Sequence, residues 1–263
     1  MSSWQTYRAR LEVWGRTKRE RELRQMQEYL SSKSRDSLSR HTVEINGVAQ
    51  DVIILNQRED MSSKKICSMP GEILVHGGLV DFANSKWLIT EIDANDELYS
   101  SAIMKRCNHL LRWINRDGKI VEKWCIAEDG TKYLIGEKTS DLMTIGDARI
   151  AITVGKDSDT IEIGRGKRFL VDDEDSGEVL AYQVTKSNRL FNVYNGEGVF
   201  RYILNEVNMT DNDNKTLRIA DYYNWKPYVK TDYGHEDADI PIETIVESAK
   251  NQDPPDDGKK VWL

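Results

Sequence analysis

Short runs of β-branched and aromatic residues, cut apart by Asn-Gly and Asp-Gly pairs, constrain this chain more than any other feature. Both central positions of a tight hairpin turn need φ > 0, which Asn, Asp and Gly tolerate. Asn46-Gly47 divides the run from His41 to Leu55 into two strands, and Asp117-Gly118 leads into Lys119 to Trp124. Asp129-Gly130 repeats the device ahead of Tyr133 to Ile135. Leu74 to His76 and Trp87 to Ile92 read as two further strands, with Asn-Ser turn chemistry in Asp81 to Lys86 between them. Tyr99 to Ile114 fits either a helix or a long strand. Strands this short at this spacing point to a small β-barrel over residues 41–140.

A second β domain is expected over residues 145–228. Its strand-length runs are Ala148–Val154, Thr160–Ile163, Arg168–Val171, Leu180–Thr185, Leu190–Tyr194, Phe200–Val207 and Leu217–Ile219. That number of short strands fits an immunoglobulin-like β-sandwich, although the Cys-Trp-Cys signature of true immunoglobulin domains is missing. The fold class is therefore mainly β: a small β-barrel plus a β-sandwich (immunoglobulin-like) domain, preceded by an N-terminal α-helical arm.

The arm occupies residues 1–40. Residues 4–30 are rich in Arg, Glu, Gln and Leu, all good helix formers. Trp4, Tyr7, Leu11 and Trp14 share one helical face, Gly15 interrupts, and Leu23, Met26 and Leu30 make a second, offset stripe. Large aromatics at such a position dock either on the chain's own body or on a neighbour. Ser31 to Ser39 reads as a flexible linker.

Charge is split along the chain. The whole carries −7, with 39% hydrophobic and 31% charged residues, which excludes a wholly disordered chain and argues against one that mainly coats nucleic acid. Residues 1–40 hold 10 Lys/Arg against 5 Asp/Glu, whereas residues 231–263 hold 9 Asp/Glu against 3 Lys. Residues 229–263 read as an acidic extended tail ending Val261-Trp262-Leu263, an apolar group that could serve as a docking peptide. No run is long and apolar enough to span a bilayer, and Met1 to Arg8 lacks the apolar centre of a signal peptide. Cys67, Cys107 and Cys125 lack CxxC spacing, so a disulfide framework or a cysteine zinc site is not expected.

Catalysis needs convergent groups, and few are visible. His41, His76, His109 and His235 are scattered, and no metalloprotease, nucleophile-elbow or nucleotide-loop motif occurs. Gly164 to Lys167 reads as a tight turn. Asp172 to Asp175 and Asp211 to Asn214 read as solvated acidic turns, weak Ca²⁺ binding being the other reading, because neither has the spacing of a calcium loop. Cys107-Asn108-His109 places a thiol near an imidazole, but neighbouring residues on a strand point to opposite faces. We therefore assign no catalytic residue, metal ligand or cofactor. Trp87, Trp113 and Trp124 read as core. Tyr222, Tyr223, Trp225 and Tyr228 follow the last expected strand and either cap the domain or anchor a partner.

The stretch Gly78 to Asp93, followed by Glu97 to Asn108 and Leu111 to Ile120, carries a Trp-Leu-Ile strand, an acidic loop and a Cys-Asn-x-x-Leu-x-Trp-x-x-x-x-Gly run. Over about residues 71–125 it resembles the neck proteins of tailed bacteriophages, the head-closure or head–tail connector group. The resemblance implies a non-enzymatic virion protein, made in the bacterial cytoplasm, that forms a ring of 6- or 12-fold symmetry. Its partners would be copies of itself and portal, adaptor or tail proteins. DNA would be touched only in passing through a channel, and no membrane is involved. The partner-binding residues expected are Trp4, Tyr7, Leu11, Trp14, Tyr222, Tyr223, Trp225, Tyr228 and Trp262. A different class remains open: a β-sandwich module of a phage tail or capsid that binds carbohydrate or a cell surface, motivated by the Tyr222–Tyr228 aromatics.

Overall fold

A computed structural model describes residues 3–7, 15, 17–57, 60–93, 97–130, 149–172 and 178–225. Residues 3–7 are helical, and helix α1 spans Lys18–Ser34. Gly15, at φ +115°, separates the two helical stretches. Thr17 caps α1: its hydroxyl accepts the Glu20 N–H at 3.1 Å, and the Glu20 carboxylate takes the Thr17 N–H at 3.4 Å, a capping box. The helix runs past the expected end at residue 30, into the Ser-rich stretch read as linker. There Ser34 is buried, and its hydroxyl donates to the Ser31 carbonyl. Leu23, Gln27 and Leu30 are half-buried, while Met26 and Tyr29 face solvent.

Six strands close into a barrel in the order β1-β2-β3-β6-β5-β4. They are β1 (Arg40–Ile45), β2 (Val48–Asn56), β3 (Ser63–Ser68), β4 (Leu79–Phe82), β5 (Ser85–Asp93) and β6 (Ser101–Arg106). Asn46 (φ +51°) and Gly47 (φ +81°) turn β1 into β2, as their chemistry requires. Alternate residues point inward: Val43 and Ile45, Val52 and Ile54 join Ile66, Val80, Trp87, Ile89 and Met104 in one core. Each such aliphatic contributes about 1.5–3 kcal/mol by leaving water. Closure leaves this sheet no free edge.

Two expectations fail within the barrel segment. Leu74 to His76 is loop, with Leu74 tucked into the core, and the strand starts only at Leu79. Tyr99 to Ile114 is neither a helix nor one strand: β6 ends at Arg106, and β7 (His109–Ile114) begins a new sheet. At Ile89/Glu91 the β5–β6 register shifts, so Thr90 is the extra residue of a bulge. Its carbonyl accepts the Nε2–H of the buried His76 at 3.0 Å.

The second sheet has seven strands, in the order β10-β11-β13-β9-β8-β7, with β12 paired to β13. These are β8 (Ile120–Asp129), β9 (Arg149–Gly155), β10 (Arg168–Asp172), β11 (Val179–Asn188), β12 (Val193–Tyr194) and β13 (Glu197–Val207). β7 and β8, inside the stretch assigned to the barrel from sequence, thus belong here. The mainly β architecture, with a closed barrel and a second β-sheet, is as expected.

Two expected strands of this second sheet are local turns instead, and a third is shortened. Thr160–Glu162 is a single 3₁₀ turn, because Asp157 Oδ1 accepts the Thr160 N–H at 2.7 Å while Thr160 Oγ1 accepts the Asp157 N–H at 2.8 Å. Leu190 and Phe191 sit at an Asn188 turn, and strand pairing starts at Val193. Leu217 to Ile219 makes only an isolated bridge from Ile219 to Asn214, with Arg218 at φ +56°.

The chain divides into two compact units. The first holds the barrel, α1 and the residues 123–166 and 184–205. The glycines of one node are crowded against backbone there. A Cβ on Gly77 would overlap the Gly198 carbonyl, one on Gly155 the Gly77 carbonyl, and one on Gly198 the Asn192 carbonyl. The second unit holds residues 111–122, 167–183 and those from 206 onward. Within it the sheet's two end strands meet. Trp113 of β7 and Phe169 of β10 pack edge to face at 5.8 Å, and Lys167 Nζ donates to the Ile114 carbonyl at 3.0 Å. Helix α2 (Tyr222–Trp225) covers Ile114 and Ile219 through Tyr222.

Candidate binding groove

A groove runs along the first unit, made of two adjoining hollows of about 520 and 530 Å³ that share Asp81, Lys86 and Trp124. One wall is the β4–β5 hairpin, whose turn residues Ala83 and Asn84 have φ of +51° and +54°. Trp124 of β8 and Lys156, just past β9, form the other, and Gly77 and Gly155 also line it. Trp124 is 37% exposed, against the expectation that it is core. It shares a strand face with the exposed Glu122, whereas Val121 and Cys125 point the other way.

Four cations line the groove. Lys86 donates to Asp81 at 2.6 Å, and Lys123 pairs with Asp157 at 2.6 Å. Burial, the largest influence, pushes the Asp157 carboxyl up, but Lys123 and the Thr160 N–H outweigh it and hold the group below its ordinary pKa. Lys156 Nζ donates to the Gly196 carbonyl at 2.6 Å and so keeps its charge unneutralised by that bond. The exposed Arg106 guanidinium makes no hydrogen bond or ion pair among the described residues. Beside it, burial raises the Cys107 thiol to about 12, which makes it a poor nucleophile. Asn108 is committed to a reciprocal pair with the Ala127 backbone (2.8 and 2.7 Å). The groove can hold an anionic group beside a flat apolar wall.

Among the partner-binding residues expected from sequence, Trp4 and Tyr7 stack at 5.7 Å and stand open to solvent, 66% and 54% exposed. Tyr222 is buried and Tyr223 half-buried against it, so these two cap their own unit. Trp225 closes α2, and its side chain lies outside the described residues, as do Leu11, Trp14, Tyr228 and Trp262. Sequence reading missed the groove and two other features. Leu190 and Phe191, 84% and 74% exposed, form a bare apolar tip. Asp213, read as part of a solvated acidic turn, is fully buried and paired with Arg168 at 2.7 Å.

The geometry defines a β-barrel protein with a second β-sheet and a cation-lined groove. Residues 10–106 match the family described as the YomX N-terminal domain, which is phage-associated. The match takes in the whole closed barrel and ends at the last residue of β6. It covers less than half of the chain. No curated protein and no solved structure matches. Among the described residues, no helix is long and apolar enough to cross a membrane.

Proposed function

We propose that the chain is a non-enzymatic structural protein of a tailed-phage virion that forms a ring at the head–tail junction, contacting its own copies and the portal, adaptor or tail proteins beside it. The phage-associated barrel supports the setting. The observation that carries the reading is the placement of large apolar groups on exposed projections of the first unit: Trp4 with Tyr7, Met26 with Tyr29, and Leu190 with Phe191. Side chains of this kind cost solubility unless a partner covers them, and they concentrate at contact sites. A heterologous contact repeated around an axis closes into a ring. The carbohydrate-binding alternative loses its motive at Tyr222, which is spent on the unit's own core.

Electron microscopy and sedimentation velocity of the purified protein test this. Ring particles, or binding to portal or tail components, are expected. A strictly monomeric protein with no affinity for either overturns the proposal.

A further inference from the structure

Several features of the molecule are unused by the reading above: the groove, the buried Arg168 cluster, the hollow beside α1 and the acidic residues 231–263. Only the groove and the acidic stretch answer each other. We infer that the groove takes an acidic, aromatic-bearing peptide, residues 231–263 of a second copy of this chain. The inference rests on the proposed ring, and names the contact that links one subunit to the next.

The cations come first. Lys86 and Lys123 are held by Asp81 and Asp157, while Arg106 has no protein partner among the described residues and Lys156 binds only a carbonyl oxygen. Two charges on one groove are therefore open to an anionic ligand. Trp124 stands between them, since it lines both hollows. A half-exposed indole beside free cations suits a chain that carries carboxylates and an apolar or aromatic side chain together.

The chain supplies such a segment. Residues 231–263 hold nine carboxylates against three Lys, with Tyr233 and Trp262 among them. Their 33 residues reach up to about 120 Å when extended, at about 3.3–3.6 Å each, enough to cross to a neighbouring subunit.

The test titrates a fluorescein-labelled synthetic peptide of residues 231–263 onto the full-length protein and follows anisotropy. Saturable binding is expected, weakened at least tenfold by Arg106→Glu and by Trp124→Ala, and also by replacing Asp253, Asp256 and Asp257 of the peptide with Asn. Arg106 is exposed, so Arg106→Glu leaves the fold intact by near-UV circular dichroism. No binding, or equal binding to parent and both variants, overturns the inference. So does displacement of the peptide by an oligonucleotide as readily as by unlabelled peptide. Microscopy separates the two proposals. Rings that survive Arg106→Glu refute the groove contact and leave the ring. A parent that forms no rings, but binds the peptide through Arg106 and Trp124, refutes the ring and keeps the groove.

Discussion

Replacing Asp213 with Ala removes the centre of the second unit's polar cluster. The Asp213 side chain is wholly buried and accepts four N–H groups. Two come from Arg168, at 3.0 Å from Nη1 and 2.7 Å from Nη2. Two are backbone donors, Thr210 and Asp221, each at 2.8 Å. In the Ala variant the guanidinium keeps Asp221 at 2.9 Å and the Asn208 carbonyl at 3.1 Å, but both backbone donors lose their acceptor. An orphaned buried donor costs about 1–3 kcal/mol, and breaking a buried charge pair about 3–5 kcal/mol. Two such donors together make about 2–6 kcal/mol, and the overlap with the charge-pair range sets the expected loss at about 3–5 kcal/mol. Asp213→Asn, which keeps an oxygen for the backbone donors, loses less. Urea unfolding followed by tryptophan fluorescence measures the loss, and hydrogen exchange over residues 208–225 locates it. A cost below about 1 kcal/mol with unchanged exchange protection refutes the account. The same group sets a pH limit. Burial, the largest influence, raises the Asp213 carboxyl, but the Asp221 and Thr210 N–H groups and then Arg168 outweigh it, so the folded pKa is lowered. A lowered folded pKa means stability that is present above the unfolded value, about 3.9, and lost as pH falls through the folded one. Acid unfolding of the parent therefore steepens below about pH 4, and the Asp213→Asn variant lacks that increment.

Gly155→Ala sets a Cβ against the Gly77 carbonyl, with the Gly77 carbonyl carbon 3.3 Å away, and neither backbone has room to yield. A loss of about 1–3 kcal/mol and a melting temperature lower by several degrees are expected, and an unchanged melting curve refutes the node. All three cysteines are buried and outside any disulfide among the described residues, with Cys107 raised to about 12 and Cys125 pushed up further by burial. Ellman's reagent at pH 8 should label none of them until denaturant is added, and rapid stoichiometric labelling of the native protein refutes that burial. Phe191→Ser should leave the melting temperature unchanged, since the ring is exposed, while weakening self-association in sedimentation velocity. Equal association of parent and variant removes the tip from the contact.

How much of this was legible depended on whether a residue's role was local. Asn46-Gly47 and Asp117-Gly118 announced their turns because the backbone demand sits in the same residues that answer it, with Gly118 at φ +77°. The β4–β5 turn was placed only approximately, since Ala83 takes a left-handed conformation that its side chain does nothing to advertise. Thr160 to Ile163 has strand composition, yet Asp157 and Thr160 bond to each other's backbone and close a 3₁₀ turn first. Trp113 and Trp124 sit in similar runs. One packs on Phe169, and the other opens onto the groove, a distinction that tertiary neighbours alone make. The groove's key groups come from β6, β8 and the residue after β9, so no spacing along the chain could link Arg106, Trp124 and Lys156.

The glycine node and the groove are one construction. Gly77 and Gly155 line the second hollow, and they are also the residues whose missing side chains let the barrel loop press on the ends of β9 and β13. The Gly77 N–H bonds the Ile89 carbonyl at 3.0 Å, and the Lys156 N–H bonds the Gly198 carbonyl at 2.9 Å, so backbone on both sides of the hollow is fixed by the ladder itself. Lys86 and Lys123 are tethered on opposite walls by Asp81 and Asp157. A ligand entering there meets charges already oriented, which reduces the ordering cost of binding. A substitution at Gly155 therefore acts twice, by filling the hollow and by displacing the wall that carries Lys156. Its effect on peptide binding should exceed what its effect on stability alone accounts for.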